Sequence, residues 1–560
     1  MSLNKKGLRL GTAVVALSLL ATACGGDDDG GDNNATGDGT KGGTLNVLLA
    51  ADFEHLDPQR NYVSSALNFG RLVYRQLTTY KSKPGAEGSE LAPDLATDLG
   101  KASDNAKTWT FTLKDDLKYE DGTPITAQDV KYGVERSMSP LIDSGPQYAK
   151  QYLQGGKDYE GPYGGKGLAS IETPDAKTIV FKLNAPHGDF PYTVSLPTFS
   201  PVPKAKDTKV NYDNRPFSSG PYKIDSYVRG KSMTLSRNTN WGQDDVRAAL
   251  PDTIKVTMGL DPNIIDQRII TSAGEDANAV QLDSSVQPPN VATVKNRADV
   301  KERSKTGETG FLRYIAMNTT KGPLKNVKVR QALSWGINKI DQQTARGGPD
   351  AAGDPATTLL VPGIAGHKDY NAYAGPEGDV AKAKQLLAEA GYPNGFSATI
   401  QTTSTPKGQA QAQAFQDSMK KIGVTIKIAA IDQSVYYSTI GDIKKEPEFV
   451  IAAWGPDWPN ASTVIPPLFD GEQIVPTGNQ NFSQLNDPEI NKEINRIGAL
   501  TDLDEAAEAW GNLDEKIMKE HAPIFPLLND KAIFIVGKNV KGAFMHSFYG
   551  QPDMAALGVK

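Results

Sequence analysis

The sequence predicts an α/β protein in two parts: a strand-rich, mixed first part over roughly the first 260 residues, then an α/β-layered part. Period-two alternation predicts the strands. In "TWTFTLK", residues 108–114, Trp109, Phe111 and Leu113 alternate with threonine and lysine, and "TIVFKL", residues 178–183, repeats the pattern with Ile179, Phe181 and Leu183. The apolar run "TLNVLLA", residues 44–50, opens the globular region as another strand. Helical spacing predicts the layered part. In "NVKVRQALSWGINK", Val329, Ala332, Leu333, Gly336 and Ile337 recur at i, i+3, i+4, i+7 and i+8. "DVAKAKQLLAEAG" has Asp379 as an N-cap, Gly391 as a stop, and an apolar stripe of Val380, Ala383, Leu386, Leu387 and Ala390. "GQAQAQAFQDSMKKIG" reads as a helix ending at Gly423, and "VTIKIAAI", residues 424–431, as a strand.

The single cysteine of the 560 residues, Cys24, cannot form an internal disulfide. Lys5, Lys6 and Arg9 precede an apolar run with small residues, 10–23, which is the pattern of a secretory signal and too short for a comfortable membrane span. The run ends Ala21-Thr22-Ala23-Cys24, which resembles a bacterial lipobox, with alanine in place of the usual leucine three residues before the cysteine. That resemblance implies that 1–23 is removed and Cys24 is acylated. Residues 25–43 hold no aromatic residue and no aliphatic larger than alanine, so 24–43 reads as a lipid-anchored flexible tether. The localisation expected is the extracytoplasmic side of the cell membrane.

Apolar residues make up 38% and charged residues 22% of the chain, ordinary values for a globular protein. Loss of 1–23 takes the formal charge from −6 to −9, which argues against nucleic acid and against electrostatic membrane binding. His55, His187, His367, His521 and His546 show no metal-ligand spacing, so no metal and no cofactor are expected. There is no GxSxG elbow and no Walker loop. "SDN" at 103–105, "KTG" at 305–307 and SxxK at 404–407 match the boxes of serine penicillin-binding enzymes, but SxxK comes last here and first there. An enzyme is not expected.

Several segments in order carry a family resemblance: "GGTLNVLL", then "LDPQ" from Leu56, "WTFTLKDDLKYEDGTPITAQDVKYGVERSM" over 109–138, "FSSGPYKIDSYVRGKSMTLSRNTNWG" over 217–242, "YIAMNTTKGPLKNVKVRQALSWGINK" over 314–339, "AKQLLAEAGYPNGF" over 383–396 and "APIFPLLND" over 522–530. Together, from about residue 42 to the C-terminus, they resemble the extracellular solute-binding proteins of peptide, dipeptide and nickel ABC importers, family 5. The resemblance implies a two-lobed, type II periplasmic-binding-protein-like α/β fold around a ligand cleft. It implies lobe one at 44–310 and 524–560 with an extra subdomain at about 72–175, and lobe two at 311–523. It also implies closure about two crossings and docking on the membrane permease, as a monomer.

The site expected is "AAWGPDWPNAS", 452–462. Trp454 and Trp458 offer flat faces with an N–H handle, Pro456 and Pro459 stiffen the loop, and Asp457 offers an anion between the indoles. In peptide-binding relatives, a Trp-x-x-Asp here places its aspartate on the peptide α-amino group, and Trp454 and Asp457 match that spacing. Relatives that grip longer peptides carry an arginine three residues before the tryptophan; Ile451 stands there in this chain. The stretch after "LDP" lines the cleft in relatives, which nominates Tyr62, Val63, Ser64 and Ser65, with backbone groups placed to pair with an extended peptide. Peptide capture is the first reading. The alternative is the same scaffold holding a chelated metal, a sugar or an opine, and a tethered hydrolase comes third.

Overall fold

Alternation along Thr44–Leu48 decides the centre of the first sheet: Leu45 and Val47 are fully buried and pair in parallel register with Ile254 and Val256. A computed structural model describes residues 39–142, 145–242, 246–500 and 502–560, so the expected signal, Cys24 and most of the tether lie outside the described residues. The five strands run in the order Ala279–Gln281, Thr44–Leu48, Thr253–Thr257, Ser232–Arg237, Tyr222–Val228. The three first-named are parallel, and the last two join antiparallel.

The two alternating strands of the sequence, Thr108–Thr112 and Thr178–Lys182, pair with each other, Trp109 opposite Phe181 and Phe111 opposite Ile179. Lys101–Ser103 and Ile171–Glu172 flank them. Their apolar face packs against helix Ala127–Ser137 through Val130 and Val134. A capping box starts that helix: Thr126 N–H and Oγ1 both donate to Asp129. This core runs on to Phe190 and Phe199, past the expected limit near 175, because the sheet cannot form without Thr178–Lys182.

The second lobe is a six-stranded sheet in the order Asp354–Pro355, Ile524–Ile535, Ser304–Met317, Phe449–Trp454, Ser397–Thr403, Thr425–Ile431. Helices cover it as the periodicity predicts. Val329, Ala332, Leu333, Gly336 and Ile337 are all buried. Helix Val380–Glu389 is capped by Asp379 Oδ1, which accepts from Lys382 N–H at 2.9 Å. It ends in a Schellman turn in which Gly391, at φ +94°, donates to Ala388 and Tyr392 to Leu387. Gly423 closes helix Pro406–Lys421 in the same way, with Val424 donating to Met419.

Two long antiparallel strands, Ser304–Met317 and Ile524–Ile535, carry the chain between lobes. Ser304 to Glu308 pair with Ile535 to Lys531, Leu312 to Ala316 pair with Asn529 to Ile524, and the register breaks between Glu308 and Leu312. The sequence puts the return crossing at 523–524. The strand corrects this: Ile524, Phe525, Leu527 and Leu528 belong to the second lobe's cores, and only from Ile533 does it join a core shared with Leu48 and Ile265. Burying each such side chain contributes roughly 1.5–3 kcal/mol, so core membership fixes the crossing at 529–532.

Candidate functional site

The motif "LDPQ" and the "ERSM" end of the signature block meet in space. Arg136, from helix Ala127–Ser137, donates Nη1 and Nη2 to the two Asp57 carboxylate oxygens at 2.7 and 2.6 Å. Its Nε reaches Asp207 at 3.0 Å, and Nη1 also reaches Gln59 Oε1 at 3.0 Å. Both members of the pair are fully buried. A buried charge is tolerated only when paired this completely, and losing one partner costs about 3–5 kcal/mol. Asp213 adds a second brace: its carboxylate accepts the Leu56 and Asp57 N–H groups at 2.7 and 2.9 Å and lies 2.6 Å from His55 Nδ1. The loop so fixed ends at Tyr62, 38% exposed and directed across the cleft.

Opposite it, strand Phe449–Trp454 runs out into the Asp457 loop. Asp457 N–H donates to Thr463 Oγ1 at 3.1 Å, which sets the loop from within. Tyr62 Oη donates to Asp457 Oδ2 at 2.7 Å, and Tyr148 Oη donates to the same oxygen. Among the described residues no donor reaches Oδ1. Burial pushes the Asp457 carboxyl up to about 6, against the two phenol bonds that favour its charged form. Burial, with the Asp457 charge added, raises both phenols well above their ordinary range, so they stay donors.

Trp458 is fully buried and clasps the first lobe. Its Nε1 donates to Asp189 Oδ2 at 3.0 Å, Ser462 Oγ donates to the same oxygen at 3.1 Å, and the indole lies 4.8 Å from the Tyr148 ring. Trp454 turns the other way: its Nε1 donates to Thr463 O at 2.9 Å and its ring packs on the second lobe's core. Both indole N–H groups are therefore spent inside the protein, which corrects the expectation that they serve as ligand handles. Ile451 is a core residue of the sheet, so that position supplies no basic group to the cleft.

The stretch after "LDP" is also not the extended edge expected. Val63 is the N-cap of helix Ser64–Gly70, and Leu67 N–H already donates to Val63 O at 2.8 Å. Ser64 and Ser65 are thus helical, and their backbone cannot pair as a strand. Of the four residues nominated there, Tyr62 meets Asp457; among the described residues Val63, Ser64 and Ser65 make no hydrogen bond to the Asp457 loop. Tyr148 and Asp189 escaped the sequence reading. Each lies in a short, irregular stretch of the subdomain with no periodicity to mark it, and only the fold carries them to the cleft.

Two lobes joined by two strands, with a loop carboxylate of one lobe meeting hydroxyls of the other across a cleft, form the architecture of a solute-binding protein. The chain belongs to the bacterial extracellular solute-binding proteins, family 5: the model described as "Bacterial extracellular solute-binding proteins, family 5 Middle" matches residues 90–475. A solved structure named clavulanic acid biosynthesis oligopeptide binding protein 2 is 35% identical, with a TM-score of 0.88 over 93% of this chain and 96% of the other. A probable D,D-dipeptide-binding periplasmic protein of Escherichia coli is 25% identical over 89% of this chain and 90% of its own length. A glutathione-binding protein of Salmonella typhimurium is 26% identical over 90% and 92%.

Proposed function

We propose that this protein captures short peptides between its lobes and delivers them to the permease of an ABC importer, with Asp457 holding the peptide's α-ammonium. One observation supports this above others: Asp457 Oδ2 is fixed by two phenols of the first lobe while Oδ1 stays open as an acceptor. A carboxylate oriented in this way, half-desolvated and with one oxygen free, suits a primary ammonium through a short charge-assisted bond. The names of the relatives, peptide and glutathione binders, agree with that class of solute.

Lobe one comprises 44–310 with the C-terminal residues, lobe two the sheet between the crossings, and the crossings act as the hinge. Cys24, acylated after loss of 1–23, anchors the chain, and 24–43 tether it at the extracytoplasmic face of the cell membrane. The protein works as a monomeric receptor without catalysis.

Native mass spectrometry of residues 25–560, purified as secreted and mixed with a random di- to hexapeptide pool, tests the reading. Bound masses that match peptides support it, and their loss in Asp457→Ala with the fold intact supports the amine assignment. A protein that stays empty in the pool overturns peptide capture.

A further inference from the structure

Inside the first lobe, three buried arginines share two buried aspartates. Arg75 donates Nε to Asp94 Oδ1 at 2.6 Å, and Arg247 donates Nη1 and Nη2 to the same carboxylate at 3.0 and 2.6 Å. Arg247 Nε also donates to Arg71 O at 2.9 Å, which joins this group to the next. Arg71 donates Nη1 to Asp553 Oδ1 at 2.8 Å and Nη2 to Tyr80 O at 3.0 Å. All five residues are at most 5% exposed. Burial raises both carboxyls, and the arginines outweigh it: Asp94 is held down at about 2 and Asp553 below its ordinary value. Both aspartates are therefore charged. The neighbouring imidazole adds no charge, because burial pushes His546 down to about 4. The network carries one positive charge in excess, and a buried excess charge calls for a counter-ion.

That excess faces a small cavity. Arg71, Tyr80, Gln76, Leu67, Ser195 and Phe548 line it, between helix Ser64–Gly70, the subdomain and the C-terminal residues. Two buried polar atoms of its wall, Arg71 Nε and Tyr80 Oη, have no partner among the described residues. Burial holds the Tyr80 phenol well above its ordinary range, so it stays a donor. Ser195 Oγ, on the same wall, donates to Tyr192 O at 2.7 Å. Asp457 acts on the Tyr80 hydroxyl from the cleft, but its own donors are Tyr62 and Tyr148. A guanidinium N–H and a phenol O–H in one pocket suit an anion. A water molecule would satisfy the two donors but not the charge. The enclosed space admits about one water-sized group, too little for a carboxylate with its carbon chain.

We infer that this cavity binds a monatomic anion, chloride, held by Arg71 Nε and Tyr80 Oη. The ion supplies the negative charge that Asp94 and Asp553 leave short. Its place bears on the ligand cleft without belonging to it. Helix Ser64–Gly70, which contributes Leu67 to the cavity, starts at Val63, next to Tyr62. Ser195 belongs to the same irregular stretch as Asp189, which holds the Trp458 indole. An anion in the cavity thus ties to one centre the two first-lobe segments that meet the Asp457 loop.

Thermal melting of the mature chain in sodium chloride against sodium gluconate, at one ionic strength, tests this. The midpoint is expected to rise with chloride and then saturate, because the ion binds the folded state alone. Gluconate is too large for the cavity and is expected to give no such rise. Crystals soaked in sodium bromide are expected to show an anomalous peak within hydrogen-bond distance of both Arg71 Nε and Tyr80 Oη. Tyr80→Phe keeps the ring stacked on Phe548 and removes one donor. It is expected to need about 10-fold more chloride for the same rise, and an unchanged midpoint in gluconate shows that its fold is intact. Equal midpoints in the two salts at every concentration overturn the inference, and so does a bromide peak found only elsewhere. A chloride response that Tyr80→Phe leaves unaltered overturns the placement in this cavity.

Discussion

Tyr62 of the first lobe and Asp457 of the second meet in a 2.7 Å hydrogen bond, and Tyr148 donates to the same carboxylate oxygen. The carboxylate proposed to hold the ligand's ammonium is thereby also a contact between lobes. The pair of phenols orients the carboxylate and favours its charged form, against the burial that raises it.

Removing the phenol oxygens leaves the rings and takes away only the orientation. Tyr62→Phe with Tyr148→Phe is expected to weaken binding of trialanine about tenfold or more, since bonds to a charged group are worth about 1.5–3 kcal/mol and Tyr62 is partly solvated. Tyr62→Phe alone is expected to have the smaller effect. Titration calorimetry measures both. An undiminished affinity in the double variant means that the phenols are bystanders.

Asp189 works independently of the ligand. It accepts the hydrogen bond of the buried Trp458 indole N–H and a second from Ser462, so it clasps the subdomain to the loop that carries Asp457. Asp189→Ala leaves a fully buried N–H unpaired at a cost of about 1–3 kcal/mol. The ligand-free variant is expected to open, with a larger radius of gyration by small-angle scattering, and to close again at saturating peptide. If the scattering curve matches that of the unaltered protein, the clasp does not set the closed form.

Gly353 tests the hinge by sterics alone. It sits at φ +85°, and a Cβ there would lie 1.7 Å from Asn529 O, beside Asp530. Neither the conformation nor the space admits a side chain, and the obstructing atom is backbone. Gly353→Ala is expected to cost about 3 kcal/mol or more, from overpacking and left-handed strain together. Denaturant unfolding measures it. A loss below about 1 kcal/mol would mean that strand Ile524–Ile535 yields at this point.

Much of the scaffold could be read from the chain. The alternation at Trp109 and Phe111, the stripe from Val329 to Ile337 and the stops at Gly391 and Gly423 all act over a few residues, and local chemistry writes them directly. The site was half-legible. Asp457 stood out because tryptophans and prolines frame it within one loop. Its partner Tyr148, and Asp189, which accepts from the neighbouring Trp458, lie hundreds of residues away, and nothing local marks a tyrosine whose hydroxyl will cross a cleft. The same limit explains the tryptophans: sequence supplies the indole but not which carbonyl or carboxylate takes its N–H. It explains the return crossing as well, because one continuous apolar strand serves two cores and only the fold divides it.

The raised carboxyl of Asp457 links function to stability with opposite signs. Burial lifts it from 3.8 to about 6, so the folded chain holds this proton more tightly than the unfolded chain does. Between roughly pH 4 and 6 the folded state binds more protons, and this group's contribution to stability falls as pH rises through that window. At pH 7 Asp457 is ionised at a cost that the phenols only partly offset. Asp457→Asn removes the charge and keeps the shape. It is expected to raise the thermal midpoint of the ligand-free protein at pH 7, by an amount equivalent to about 1–3 kcal/mol, and to leave it nearly unchanged at pH 4. Peptide binding moves the other way. An ammonium needs the ionised carboxylate, so affinity for trialanine is expected to fall as pH drops below about 6, and to be lost in Asp457→Asn at every pH. Calorimetric melting and binding measured on the same samples from pH 4 to 8 separate the effects. A variant that neither gains stability at pH 7 nor loses peptide would show that Asp457 is a solvated surface charge.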